Sequence, residues 1–193
     1  MFLDISKAYD TTWRRLILEK LNEWKISGRL LRFIHKSLAC RSFRVLANGS
    51  LSSEKKMENG LCQGSVLSVT LFLVAINTIV ETLPEDIKCL IYADDVVIIC
   101  GGRTHKVNEE KLQSALNAIC DWQRRTGFRV SAEKCATVIF KTTRSRKVTQ
   151  RSTLTINGVI IPREKAYKCL GVLLDQGLQF REHIESIKTS CQQ

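Results

Sequence analysis

Two adjacent carboxylates, Asp94 and Asp95, stand between the apolar runs Cys89-Leu90-Ile91 and Val96-Val97-Ile98-Ile99. Runs of this kind flanking the tetrapeptide Tyr92-Ala93-Asp94-Asp95 read as two paired strands with the acids at the hairpin tip. The pattern constrains the fold strongly. The strands must bury one face, yet the tip must sit where its repulsion can be relieved. Like charges this close raise each other's pKa unless a cation lies between them. A hard divalent ion bound by oxygen relieves the repulsion. The plainer alternative is a solvated turn, since Asp is a favoured turn residue.

A second acidic position supports the metal-binding alternative. Phe2-Leu3-Asp4-Ile5 reads as a short strand ending in a carboxylate, 90 positions before Asp94 (94 − 4 = 90). That separation leaves room for helices and a return to a neighbouring strand. Between the two lies Gly60-Leu61-Cys62-Gln63-Gly64-Ser65-Val66-Leu67-Ser68, a Gly-containing turn running into a long apolar segment. Asp10, in Ala8-Tyr9-Asp10, reads as the N-terminal cap of the helix that follows.

The order of these segments resembles the palm of reverse transcriptases, specifically those of non-LTR (LINE-like) retrotransposons. Asp4 with Ala8-Tyr9-Asp10 comes first, then Gln63-Gly64-Ser65-Val66-Leu67-Ser68, then Tyr92-Ala93-Asp94-Asp95. Gly127-Phe128 to Lys134 and Tyr167-Lys168-Cys169-Leu170-Gly171 follow, so the likeness covers essentially the whole chain. It implies an RNA-directed DNA polymerase that joins deoxynucleotides to a primer 3′-hydroxyl with two Mg²⁺ ions (or Mn²⁺) roughly 3.5–4 Å apart. The implied catalytic residues are Asp4, Asp94, Asp95 and Lys134. Asp4 and Asp94 bridge the metals, Asp95 is auxiliary, and the Ile5 carbonyl completes a shell. Tyr9 is the implied gate against a 2′-hydroxyl, with core packing as its plainer role. Gln63 and Gly64 would contact the nucleotide and template, and Lys134 the pyrophosphate. Tyr92, Leu170 and Gly171 would hold the primer. RNA template, DNA primer and dNTPs are the implied partners.

The chain departs from the family pattern at Cys62 and Val69 (commonly proline), Thr78 (often aspartate) and Ser131 (often asparagine), none of them an implied metal ligand. Residues 1–175 are expected to be the palm, without fingers at the N-terminus, and 176–193 the truncated start of a thumb. A different class of function is a catalytically silent remnant that binds nucleic acid through basic surface alone.

Composition fits either. A formal charge of +11 points to a polyanionic partner, and 44% hydrophobic content supports a core. Arg124, Arg125 and Arg129 cluster near one helix end, and Lys141, Arg144, Arg146, Lys147 and Arg151 crowd one segment. The eight cysteines have no zinc-like spacing and read as reduced, buried thiols in a reducing intracellular compartment. Cytoplasm and nucleus follow from the resemblance. Val66 to Val80 is too short and too polar for a membrane span.

Periodicity predicts a helix burying Trp13, Leu16, Ile17, Leu21 and Trp24, and a second carrying Leu30, Leu31, Ile34 and Leu38. A hairpin is expected at Asn48-Gly49 and another at Asn157-Gly158. Between them a helix should run from Val66 to Leu83, stopped by Pro84. Leu112, Ala115, Leu116, Ile119 and Trp122 mark a further helix, ending near Gly127. Strands are expected at Cys135–Phe140 and Cys169–Leu174, then an amphipathic piece with Phe180, Ile184 and Ile187. The expected fold class is α+β, a polymerase palm of split-βαβ, ferredoxin-like type, with helices on one face of a mainly antiparallel sheet.

Overall fold

The computed structural model describes residues 1–39, 41–102, 104–140 and 153–192. The basic run Lys141 to Ser152 and Cys40 therefore lie outside the described residues. Along the chain come β1 (Phe2–Asp4), α1 (Ala8–Thr11), α2 (Arg14–Glu23) and α3 (Gly28–Leu38). Short strands β2 (Ser42–Phe43), β3 (Leu46–Ala47), β4 (Ser50–Leu51) and β5 (Lys55–Lys56) follow. Next are α4 (Val66–Ile76), a 3₁₀ helix (Asn77–Thr82), β6 (Lys88–Tyr92), β7 (Asp95–Ile99) and α5 (His105–Thr126). The last third holds a 3₁₀ turn (Ala132–Lys134), β8 (Thr137–Val138), β9 (Thr155–Ile156) and β10 (Val159–Ile160), then β11 (Arg163–Glu164), β12 (Ala166–Cys169), β13 (Val172–Asp175) and α6 (Arg181–Cys191).

The central sheet has the order β1-β7-β6, with both pairings antiparallel. Alternation along these strands separates two faces. Leu3, Val96 and Ile98 point into the core with Ile17, Leu21, Ile34, Leu71, Phe72, Leu116 and Ile119 from the helices. Leu90, Tyr92 and Ile99 on the opposite face are exposed. One apolar face covered by helices is what makes the register unambiguous, since a one-residue slip would turn the core side chains outward. The remaining ladders are two-stranded, and one of them, β8 with β11, is parallel. The mixed helix-and-sheet architecture with mainly antiparallel pairing follows the sequence reading.

Several elements fall where the pattern placed them. Asn48-Gly49 and Asn157-Gly158 turn with all four residues at positive φ, as a two-residue hairpin loop requires. In α5, Ala115, Leu116, Ile119 and Trp122 are buried, and Gly127 caps it at φ 78°.

Other expectations are corrected. Trp13 and Trp24 are not core: they are 39% and 49% exposed. Both flank α2 at its ends, where periodicity no longer governs orientation, and only Ile17 and Leu21 are fully buried on that helix. Trp13 instead lies against Gly127, where an added Cβ would overlap its indole. Asp10 does not cap α2; it sits inside α1, and Trp13 occupies the cap position without a side-chain bond. The long apolar helix stops at Ile76 and tightens into 3₁₀. The hydroxyls of Thr78 and Thr82 donate to the carbonyls of Ala75 and Ile79 (2.7 Å each), an alternative to continued α-bonding. The Cys135–Phe140 strand shrinks to β8 because the Ala132–Lys134 turn and the Phe2–Ala136 bridge use the residues before it. Cys169–Leu174 is not one strand but the adjoining ends of β12 and β13, reversed at Leu170-Gly171, both at positive φ.

An aromatic chain links the core to the acidic end. Tyr9 stacks on Phe72 (4.8 Å), Phe72 meets Phe128 edge-on (6.1 Å), and Phe128 stacks on Trp122 (5.1 Å). Trp122 Nε1 donates to Thr78 Oγ1 at 2.8 Å, so the ring is satisfied at full burial. Replacing Trp122 with Phe should cost about 2–3 kcal/mol of stability, from lost volume and a lost buried hydrogen bond, as read by urea unfolding.

Candidate active site

Backbone pairing fixes the acidic site. Asp4 lies directly opposite Asp95 across β1 and β7, and Tyr92 opposite Asp95 across β6 and β7. Opposed residues of an antiparallel pair share a face, with Cβ atoms about 4.5–5.5 Å apart. Asp94 occupies the two-residue turn with Ala93, whose φ of 53° is unusual for a residue with a Cβ. That conformation costs on the order of 1 kcal/mol and holds only because both strands are anchored in the core.

Asp4 and Asp94 line one cleft of about 640 Å³ together with Ile5, Tyr9, Gln63, Gly64 and Lys134. Two links pull the Gln63 turn against the β1–α1 segment. Leu61 N–H donates to Tyr9 O (2.8 Å), and Arg14 donates to the carbonyls of Met57 (2.7 Å), Asn59 (3.3 Å) and Gly60 (2.9 Å). Gly64 takes φ 86°, a conformation that favours glycine, and the space where its Cβ would stand is open. Ser65 is the N-cap residue of α4 but makes no side-chain capping bond. Tyr9 packs against the core and also lines the cleft wall.

The electrostatics are those of crowded carboxylates. Burial, then Asp94 and then Asp4, push the Asp95 carboxyl above its ordinary pKa. Asp4 Oδ2 is shut off from solvent without a hydrogen bond, and the nearest cation, Lys134 Nζ, stands at 3.6 Å. A buried carboxylate oxygen without a hydrogen bond is costly and suits an added hard cation. Among the described residues, however, no three His, Cys, Asp or Glu side chains are gathered around a single ion position. Repulsion among three like charges disfavours that convergence without a cation.

Tyr92, Leu170 and Gly171 do not line this cleft. Tyr92 is exposed beside Asp95, and Leu170-Gly171 forms the tip of the β12–β13 hairpin. That hairpin rests on the sheet through Tyr167 stacked on Phe2 at 4.3 Å. The Asp95 charge is felt there: burial and then Asp95 raise the pKa values of both Tyr167 and Cys169. The cleft is also lined by Lys7, at φ 47° between Asp4 and Tyr9, to which the motifs gave no role, and by Val66 and Val69 near the start of α4. Val66 is 91% exposed, which its place in an apolar run did not indicate.

The family model for reverse transcriptase (RNA-dependent DNA polymerase) matches residues 1–174. The chain belongs to that family. It is 32% identical to the RNA-directed DNA polymerase from mobile element jockey of Drosophila funebris, over 98% of this chain and 21% of that protein. The jockey polymerase of Drosophila melanogaster is likewise 32% identical, over 97% and 20%. The Pol polyprotein of the R2 retrotransposable element of Popillia japonica is 25% identical, over 81% and 27%. The chain thus spans about a fifth of the length of its jockey relatives. The resemblance to non-LTR reverse transcriptases drawn from the motifs is borne out.

A raised carboxyl pKa means the folded state holds its proton more tightly than the unfolded chain. Asp95 therefore detracts from stability at neutral pH, and the effect vanishes as pH falls below the unfolded carboxylate pKa. Asp95→Asn should stabilise the metal-free protein at pH 7 by less than about 1 kcal/mol, since the group is well exposed. Urea melts should show the gain disappearing near pH 3 and shrinking when Mg²⁺ is added at pH 7.

Proposed function

We propose that this chain is the palm of a non-LTR retrotransposon's RNA-directed DNA polymerase, with residues 1–175 as the split-βαβ palm and 176–193 as the first part of the thumb. The observation that carries the reading is the facing of Asp4 and Asp95 in register, with Asp94 in the turn beside them and Tyr9, Gln63 and Gly64 around the same cleft. The expected partners are an RNA template, a DNA primer and dNTPs, working in the cytoplasm and nucleus. Among the described residues no helix is long and apolar enough to cross a membrane.

Asp4 and Asp94, with Asp95 and the Ile5 carbonyl, would hold divalent cations, Mg²⁺ or Mn²⁺; when bound, these activate the 3′-hydroxyl and neutralise the leaving pyrophosphate. The Asp4 oxygen without a hydrogen bond and the all-oxygen donor set support that fit. The chain's own residues do the positioning. Tyr9, braced on Phe72, is a wall beneath the incoming sugar that a 2′-hydroxyl would strike. Gln63 and the bare backbone of Gly64 meet the nucleotide and template strand. Lys134, already near Asp4, places a positive charge beside the departing phosphates. Tyr92 and the Leu170-Gly171 tip flank the Asp95 side, in position for the primer end.

Grafted into a complete relative, this segment should extend a primer on an RNA template. Asp94→Asn should lower incorporation by at least about 10³-fold, a loss of transition-state charge stabilisation. Near-parental activity in that variant would refute the role of Asp94. Tyr9→Ala should admit ribonucleotides, and unchanged discrimination in single-nucleotide incorporation would show that Tyr9 is not the gate.

A further inference from the structure

Adjoining the cleft lies a second depression, of about 730 Å³, to which the motifs assign no ligand. Three cations surround it, Lys7, Arg129 and Lys134, against one carboxylate, Asp10. Backbone pairing brings them together. Ser6 N–H donates to Arg129 O (2.8 Å), and an Ile5–Val130 bridge follows, so Arg129 runs beside Ser6 and Lys7. Ser131 N–H donates to Asp4 O (2.9 Å), and the next 3₁₀ turn delivers Lys134. Lys7 and Arg129 form no ion pair among the described residues, and Lys134 alone reaches a carboxylate, Asp4. Three like charges held around one concavity repel unless an anion enters. Trp13, half-exposed and laid on Gly127, forms one wall. Its apolar surface excludes water and strengthens any charge pair formed beside it.

Lys7 and Lys134 line both the depression and the acid-lined cleft, so the two share a wall. We propose that this depression binds inorganic pyrophosphate, giving the product of nucleotidyl transfer a place to move to, away from the carboxylates. The identity of the ligand rests on the polymerase reading above; the binding itself does not. Convergence of the cations on one concavity fits a compact polyanion, whereas a nucleic-acid strand needs charges spaced along a track. Ser6 and Asn59 on the rim offer neutral hydrogen-bond donors for the remaining phosphate oxygens.

The test is calorimetric titration of this chain with pyrophosphate in EDTA at fixed ionic strength. Binding should occur without divalent metal. Arg129→Gln and Lys7→Gln should each weaken it by about tenfold, the loss of one charge-assisted phosphate contact. Lys36→Gln on the exposed side of α3, which removes the same charge elsewhere, should leave it unchanged. Circular dichroism melts check that each variant folds, and Lys7→Gln carries the test should Arg129→Gln fail to do so. No binding in EDTA, equal loss in Lys36→Gln, or displacement by a single-stranded RNA oligonucleotide with no competing effect of pyrophosphate would overturn the proposal. Failure of primer extension in the graft with pyrophosphate binding intact would sink the polymerase reading and leave the depression standing.

Discussion

The pairing of β1 with β7 is the constraint on which the site depends. It sets Asp4 opposite Asp95, an arrangement that electrostatics alone opposes. The opposition is overcome one residue away, where Leu3 and Val96 are almost completely buried on the other face of the same strands. Fully burying such side chains is worth about 1.5–3 kcal/mol each, more than carboxylate repulsion at a wet edge costs. A core that fixes strand register thereby fixes the acids as well, because side-chain period and register are one property of a strand. Burial on one face of the strands thus offsets the crowding of carboxylates on the other.

The same logic extends outward along the aromatic chain. Tyr9 is held at the cleft by Phe72, which meets Phe128, which stacks on Trp122. A tyrosine backed only by solvent would yield under pressure. Here its position is set by rings at the centre of the molecule. On the other side, the β12–β13 hairpin reaches the sheet through Phe2 and Tyr167, so even the tip at Leu170-Gly171 is placed by an aromatic contact next to Asp4.

Charge is distributed with a comparable division of labour. The acids gather at the ends of β1 and β7, while Lys7, Arg129 and Lys134 lie on the flank where the chain leaves β1. Lys134 stands between the groups, near the Asp4 oxygen that lacks a hydrogen bond. A negative pole thus stands beside a positive one. The net charge of +11 is therefore not a uniform coating. Part of it is arranged with respect to the carboxylates.

Much of this was legible in the linear chain. The apolar runs around Asp94 and Asp95, the asparagine-glycine turns and the helical stripe ending at Gly127 are local patterns, and local backbone chemistry determined them. Elements set by neighbours were not legible. Trp13 and Trp24 fit a helical stripe but lie at helix ends, where the next segment decides what is covered. The helix after Ser65 gives way at Ile76 to a 3₁₀ helix, where Thr78 and Thr82 donate their hydroxyls to the carbonyls of Ala75 and Ile79. The joining of Arg129 to Lys7 depends on a bridge between residues more than a hundred positions apart, and no spacing rule records it. Sequence determined which residues carry charge and which strands exist, since those follow from composition and period. Only the folded chain decided which charges face each other, since that depends on packing between segments remote in sequence.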